Sequence, residues 1–137
     1  MSNTAIGGSG VTFASISASN TGTNEGVDLD NVAGATFQVT GTVTVNTTGG
    51  TAAGIDVATS SAPVTINAVD VDTTAGAGIV LTNNTGTVTI SVGDVNAAAG
   101  VAFDVNGGTA NVSTAARFAT PSTTRSRSPG GRQPAAR

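Results

Sequence analysis

The sequence predicts an all-β protein: a right-handed parallel β-helix (a solenoid) with about four coils of three short strands, followed by a disordered C-terminal tail. Three observations indicate this fold class. Apolar and polar residues alternate with a period of two, as in half-buried strands, and helical spacing is absent. A group of such stretches recurs at intervals of 22–28 residues. Each recurrence opens with a glycine and is joined to the next by a turn-rich connector.

Each repeating unit consists of a glycine, a first alternating stretch, and one or two further stretches. The glycines that open the units are Gly26, Gly54, Gly78 and Gly100. The second stretches occupy residues 35–39, 64–68, 88–92 and 110–113, and the third stretches occupy 43–46, 69–72 and 92–96. Residues 11–19 fit the second and third stretches of a unit that lacks its first. The chain therefore divides into a lead-in (1–9), solenoid repeats (10–114) and a tail (115–137).

Aligning the units predicts which apolar side chains stack in columns that face the core. One predicted column contains Phe13, Phe37, Ile66, Ile90 and Val112. Two more contain Val27 with Leu29, Ile55 with Val57, Ile79 with Leu81, and Val101 with Phe103, and a fourth contains Ala18, Val45, Val71 and Val95. A single coil cannot bury its apolar face, so a stable core requires several stacked coils. We expect the opening glycines at sharp corners, where a positive φ favours glycine.

Two other fold classes account for less of the pattern. A β-sandwich needs longer strands and hairpin turns, and Asn106-Gly107 is the single Asn-Gly dipeptide in the chain. A disordered Ser/Thr/Gly linker would not place Val and Ile with a period of two. The solenoid is therefore the preferred interpretation.

The segments GIDV (54–57), PVTIN (63–67) and VDVDTTAGAG (69–78) form a pattern that resembles the right-handed parallel β-helix repeats of large bacterial surface proteins. That group includes autotransporter passenger domains and repetitive adhesins. The resemblance covers about residues 10–113, and it is one of pattern and composition. It implies a structural or adhesive segment of a secreted or cell-surface rod, with glycans or proteins of a host or cell surface as partners. The alternative is a ligand-binding solenoid that recognises a glycan, ice or, weakly, Ca²⁺.

Composition argues against catalysis. The chain contains no His, Cys, Trp, Tyr or Lys, and His is the commonest general base and metal ligand. A fragment of a polysaccharide-processing β-helix enzyme is the catalytic alternative, because Asp28, Asp30 and Asp56 could supply the two carboxylates of glycoside hydrolysis. A sugar cleft also needs aromatic and cationic side chains, and residues 1–116 contain no Tyr, Trp, Lys or Arg. We therefore expect no enzymatic activity and no cofactor.

Three aspartates are candidates for a weak metal site. Asp70 and Asp94 are expected near the same face, and Asp72 aligns with Asn46 and Asn96. Oxygen ligands on neighbouring coils, about 4.8 Å apart, could hold Ca²⁺. A solvated acidic face without a metal is the simpler interpretation, because two exposed carboxylates repel by only about 1 kcal/mol in water.

Outward threonines also align in the predicted register. The predicted ladder contains Thr12, Thr36, Thr65 and Thr89. A regular threonine array is typical of ice-binding solenoids, whereas threonine is also a good exposed strand residue that stacks well on itself. The T-x-T pairs at 42–44 and 87–89 stand at different positions of the unit, so the array is broken.

Charge divides the chain into two segments. All eight acidic residues lie between Glu25 and Asp104, and all five basic residues are arginines from Arg117 onward. The acidic solenoid would repel phosphate, so we expect it to have no nucleic acid partner. The tail is interpreted as disordered and solvated. Its other interpretations are an arginine-rich binder of nucleic acid or acidic surfaces, and an end translated out of the reading frame of a longer repeat.

The sequence shows neither a signal peptide nor an apolar run long enough to span a membrane, so we expect the chain as given to be soluble, without membrane insertion. The resemblance implies a secreted or cell-surface location for the protein. The predicted solenoid has no caps on its first and last coils. Exposed strand edges are templates for further pairing, so self-association through these ends is a predicted risk.

Overall fold

The computed structural model describes residues 1–119, which form twelve β-strands and no helix. The strands are β1 (Ser2–Ile6), β2 (Val11–Phe13), β3 (Ile16–Asn20), β4 (Val27–Gly34), β5 (Phe37–Thr47), β6 (Ile55–Ala58), β7 (Val64–Thr73), β8 (Ile79–Thr82), β9 (Val88–Ala97), β10 (Phe103–Asn106), β11 (Val112–Thr114) and β12 (Arg117–Ala119). Within these residues there is accordingly no helix with the length and apolar character needed to span a membrane. The rest of the tail, predicted to be disordered or out of frame, lies outside the described residues.

The strands form two parallel sheets between which the chain alternates. Sheet A has the order β1-β4-β6-β8-β10, and sheet B has the order β11-β9-β7-β5-β2, with β3 also paired to β5 and β12 to β9. Each passage through both sheets is one coil, so the chain is an all-β parallel solenoid of about five turns, and the predicted fold class is confirmed. The count is five rather than about four because β1, within the expected lead-in, pairs with β4 as the first strand of sheet A. Regular structure also continues past residue 114, where β12 pairs with β9.

The middle coils contain two strands rather than three. Their second and third stretches form one long strand, which is 11 residues in β5 and 10 residues in β7 and β9. In β7, Ile66 and Val69 are buried, whereas Asn67 and Ala68 between them are not. The alternation of buried residues therefore changes phase at this point, while the pairing of β7 with β9 continues. Among residues 1–119, separate second and third strands occur in the first coil (β2, β3) and the last (β11, β12).

The core lies between the two sheets and consists of stacked aliphatic columns. Val45, Val71 and Val95 are each 1% exposed and stand opposite one another, with Ala18 at the head of their column, as the sequence predicts. On sheet A, Leu29, Val57 and Leu81 form a similar buried column. Because parallel pairing repeats in every coil, each apolar side chain is covered by its equivalents above and below.

One predicted column is wrong by two residues at two of its five members. The prediction placed Phe37 between Phe13 and Ile66, whereas the residue at that level is Val39. Phe37 stands opposite Val64 instead, and Val112 is displaced in the same way, because it stands opposite Val88.

The misalignment has a physical cause. A slip of two residues leaves every side chain on the same face of the sheet, so alternation alone cannot detect it. A bulge between Val39 and Thr42 also gives β5 one residue more than β7 has at that level, so one register does not hold along the whole strand.

The last coil shows a second slip of two residues. The prediction placed Val101 and Phe103 in the sheet A columns, but Phe103 stands opposite Ile79 and Val105 stands opposite Leu81. Val101 is 56% exposed. The repeat from the fourth coil to the fifth is therefore 24 residues, from Ile79 to Phe103, instead of 22.

The opening glycines of the coils lie where side chains of the opposite sheet pack closely across the core. Gly26, Gly54 and Gly78 align one residue before the first strand of their coils, and none of them has a positive φ, contrary to the prediction. A Cβ on Gly54 would lie 2.5 Å from Val71 Cγ1 and 2.8 Å from the Gly78 carbonyl oxygen. The valine column of sheet B therefore fills the space that a side chain would need at this position.

The left-handed corners are built mostly from asparagine. Asn3 and Asn31, inside β1 and β4, and Thr59 and Asn83, directly after β6 and β8, have φ between 50° and 52°, and Gly107, directly after β10, has φ 73°. Asparagine adopts this conformation more readily than other residues with a side chain. The Asn31 side-chain amide also donates to Asn3 Oδ1 at 2.8 Å, so the corner side chains bind one another across coils.

Two buried polar residues close the same corner from inside. Ser60 and Asn84 are 1% and 2% exposed. Asn84 Oδ1 accepts from the Ser60 backbone N–H at 2.9 Å, and Asn84 Nδ2 donates to the Val57 carbonyl at 2.6 Å. Ser60 Oγ accepts from the Val32 backbone N–H at 3.0 Å. These side chains satisfy buried backbone groups where the strands end, which avoids the penalty of leaving such groups unpaired.

We predict that Gly54→Ala lowers the free energy of unfolding by about 1–3 kcal/mol, because the added methyl group overlaps a rigid valine column and a backbone carbonyl. Urea denaturation followed by circular dichroism measures the change. Gly7→Ala is the matched control, since a Cβ there meets no atom within 4 Å. Equal midpoints for the two variants would contradict the packing explanation.

We predict that Thr59→Asn raises the free energy of unfolding by about 1 kcal/mol, because a β-branched residue is strained in the left-handed region and asparagine is not. The exposed corner leaves room for the longer side chain. Thr85→Asn, at an exposed position without a positive φ, serves as the control. Stabilisation of the control by the same amount would show that the backbone conformation is not the cause.

Candidate functional site

The candidate metal ligands share one outer face of sheet B. Asp70 stands opposite Asp94, and Asp72 stands between Asn46 and Asn96. All three aspartates are exposed. Within residues 1–119 no group of three or more His, Cys, Asp and Glu side chains is arranged to hold a metal ion. The structure thus aligns these carboxylates in rows without gathering them into a metal centre.

The row that contains Asp70 and Asp94 ends in a cation. Arg117 of β12 stands directly opposite Asp94. The sequence assigned Arg117 to the disordered tail, so its position on the solenoid was not anticipated. The row therefore reads Ser17, Thr44, Asp70, Asp94 and Arg117 along the stack. A charge of opposite sign on the last coil offsets part of the repulsion within the row.

The predicted threonine ladder differs from the observed row at one member. Thr12, Thr65 and Thr89 lie in one row, but the residue between Thr12 and Thr65 is Gln38, not Thr36. The cause is the two-residue slip described for Phe37. A glutamine interrupts the hydroxyl and methyl repeat, so this face lacks the uniform array that the ice-binding hypothesis requires.

A second acidic surface lies on the outside of sheet A. Asp28 stands opposite Asp56, and Asp30 stands opposite Ala58. The Thr59 hydroxyl donates to Asp30 Oδ1 at 3.0 Å. Asp28 is exposed, whereas Asp56 is half-buried and its Oδ1 is enclosed without a hydrogen-bond partner among the described residues. The structure therefore brings together the residues considered for glycoside hydrolysis, with Asp56 in the least solvated position.

The environment of Asp56 disfavours its ionised form. Burial raises the pKa of the Asp56 carboxyl above its ordinary 3.8, and the negative charges of Glu25, Asp28 and Asp30 raise it further, while a backbone hydrogen bond from Val57 lowers it. A carboxyl with a raised pKa beside another carboxylate is the pairing that glycosidases use. Here the pair lies on the outer side of a sheet, and the chain supplies no Tyr, Trp or Lys to hold a sugar.

The first coil leaves an apolar cavity of about 310 Å³ at its end of the stack. It is lined by Met1, Phe13, Ile16, Gly26, Val27, Asp28, Leu29 and Phe37. The rings of Phe13 and Phe37 lie 5.5 Å apart between centroids, and Phe13 is 39% exposed. A cavity whose lining is mostly apolar is suited to apolar contact and not to acid–base chemistry.

The last coil exposes aromatic and aliphatic side chains at the opposite end. Phe103 and Phe118 pack with ring centroids 5.0 Å apart, and Phe118 is 37% exposed. Val105, on β10, is 50% exposed. Sequence reasoning predicted that the two ends are uncapped but did not identify the cavity or this aromatic pair.

Comparison with protein family models, with curated proteins and with solved structures found no match to the chain. Its function is therefore inferred from its own residues and geometry.

We predict that Asp56→Asn stabilises the fold at neutral pH and that this gain disappears below about pH 3.8. Because the folded-state pKa of Asp56 is raised, the folded chain binds its proton more tightly than the unfolded chain does. Stability therefore falls as the pH rises from 3.8 through the folded-state pKa, and it stays lower at neutral pH. Asparagine has no such dependence. Urea midpoints measured from pH 3 to pH 8 test the prediction.

The matched control is Asp104→Asn, which removes an exposed carboxylate at the end of the same sheet. We expect this control to change stability by less than about 0.5 kcal/mol at all pH values. If Asp56→Asn raises stability by the same amount at every pH, ionisation of the Asp56 carboxyl is not the source of the destabilisation.

Proposed function

We propose that this chain is a non-catalytic structural segment of a secreted or cell-surface β-helical rod, with adhesion to glycans or proteins through its outer faces as the associated role. One observation carries the proposal: the buried aliphatic columns continue in register through successive coils. The aliphatic column Leu29, Val57 and Leu81 on sheet A and the valine column on sheet B are examples.

Such a chain is suited to act as a spacer, which sets the distance between whatever is attached at its two ends. In a solenoid each coil contacts only its neighbours, so length is varied by adding or removing coils while the core stays the same. The outward rows present short hydroxyl, amide and carboxylate groups, among them Thr65, Asn46 and Asp70. These groups form hydrogen bonds with glycan hydroxyls or protein backbones, which supports the adhesive role. The resemblance to repetitive adhesins and autotransporter passenger domains agrees with both parts of the proposal.

We predict that deletion of residues 55–78, one complete coil, leaves a cooperatively folded but less stable solenoid. The deletion joins Gly54 to Ile79, which replaces Ile55 with its equivalent in the next coil. The columns of the second and fourth coils then meet directly. Circular dichroism and urea denaturation should show a strand signal with a lower midpoint, because one stacking interface is lost.

The control removes half a coil, residues 55–66, and joins Gly54 to Asn67. This deletion places a sheet B segment where sheet A needs its strand, so we expect it to abolish the cooperative transition. If the whole-coil deletion unfolds the chain as completely as the half-coil deletion does, the coils are not exchangeable units and the proposed spacer function is wrong.

A further inference from the structure

We infer that the two ends of the solenoid bind each other between copies, so that the last coil of one chain stacks on the first coil of the next in continuous register. The occupant of each end is therefore a second copy of this chain. The inference goes beyond the proposed function, because a rod segment can perform its role without joining other copies.

Both ends of the stack formed by residues 1–119 have strands with one unpaired edge. Strands β1, β2 and β3 of the first coil each pair on one side, with β4 or β5. Strands β10, β11 and β12 of the last coil likewise pair on one side, with β8 or β9, among residues 1–119. A free edge presents N–H and C=O groups in the spacing of a parallel strand. The two edges are opposite halves of the interface that already joins every pair of adjacent coils.

The side-chain columns continue across such a junction. If the established register is extended, Val112 of one copy meets Val11 of the next, and Ser113 meets Thr12. Phe118, in the column of Val95, meets Ala18. A large ring thus faces the smallest member of its column. Apolar residues meet apolar residues, and the outward groups on either side of the junction are polar.

The apolar cavity of the first coil and the aromatic pair of the last coil stand at corresponding levels of the stack. The 310 Å³ cavity of the first coil is lined by Val27, and Phe103 of the last coil lies in the same column as Val27. The paired rings of Phe103 and Phe118 on one copy therefore lie at the level of the cavity in the next. Burying these rings removes apolar surface from water at both ends.

The charges at the junction are compatible with this stacking. In the extended register Arg117 of one copy meets Ser17 of the next, and Asn106 meets Ser2. Like charges are therefore not opposed at these positions. The contact joins two different surfaces, so it is heterologous, and repetition produces an open filament rather than a closed dimer.

Disulfide trapping between two single-cysteine variants of the full chain tests the inference. The natural chain has no cysteine, so the background is clean. Thr12→Cys and Ser113→Cys place thiols on adjacent strands of the junction, about 4.8 Å apart, within the 4.4–6.8 Å Cα separation of disulfides. After oxidation we expect a disulfide-linked dimer in the mixture of the two variants. Either variant alone should remain largely monomeric on non-reducing gels.

A mixture of Thr12→Cys and Ala119→Cys is the control for register, because Ala119 aligns with Ser19 and not with Thr12. This mixture should form little dimer. Three results would each overturn the inference. The first is equal dimer in the two mixtures, and the second is as much dimer in the single-variant samples as in the mixture. The third is no dimer in the Thr12→Cys and Ser113→Cys mixture.

A pair of charge variants provides a readout that does not require cysteine. Ser17 is exposed and meets Arg117 of the next copy, so Ser17→Glu should favour association and Ser17→Lys should oppose it. We expect the association constants to differ about two- to fivefold at low salt, as for exposed ion pairs, and to converge at high salt. Sedimentation velocity over a range of concentrations measures them, and a reversed order would contradict the register.

These tests are separate from the test of the spacer function. Whole-coil deletion examines folding within one chain, whereas cysteine trapping examines contact between chains. If the deletion variant folds but the cysteine mixture forms no dimer, the spacer proposal is retained and the filament proposal is wrong.

Discussion

Parallel hydrogen bonding between successive coils is the interaction on which the rest of this structure depends. It joins β5 to β7 and β7 to β9 residue by residue, with a spacing of about 4.8 Å. Equivalent positions are therefore placed directly above one another, and every property of a position is repeated along the stack. For aliphatic residues this repetition builds a dry core, as in the column of Val45, Val71 and Val95.

The same repetition is costly where the repeated residue is charged. Asp28 stands on Asp56 and Asp70 stands on Asp94 because the coils are equivalent, and no cation separates either pair. Asp70 and Asp94 are exposed, so water screens their repulsion. Asp56 is half-buried beside three other acids, and its pKa is raised because burial and these neighbouring charges disfavour the ionised form. An acidic row on a solenoid is thus a product of stacking and is not by itself a site of chemistry.

The ends of the solenoid are where this interaction is unsatisfied. Inside the chain every strand of the middle coils has a partner on both sides, whereas the first and last coils have one side free among the described residues. The interface that forms the core is consequently the interface offered to another copy. The proposed spacer role and the proposed filament rest on the same geometry. Adding a coil within one chain and adding a second chain at its end would use the same interface.

Alternation with a period of two and the recurrence of similar units were sufficient to predict the all-β solenoid, the inward column led by Ala18, and the placement of Asp70 and Asp94 on one face. These features depend on which face a residue takes and on approximate repeat length, both of which are local. The placement of Phe37 and Phe103 was not accessible, because a slip of two residues preserves the facing of every side chain. Strand β1 was missed as well, since SNTAI carries too little alternation to identify its pairing.

Other features depend on residues that are distant in the chain and meet only in the folded stack. Gly54 is glycine because the Val71 side chain of the opposite sheet occupies its side-chain space, and no local pattern contains that information. The shielding of Asp56 and the apolar cavity at the first coil arise in the same way, from atoms contributed by neighbouring coils. Local periodicity therefore specified the class of fold and the facing of its residues, whereas register, side-chain space and electrostatic environment were decided by the stacking of one coil upon the next.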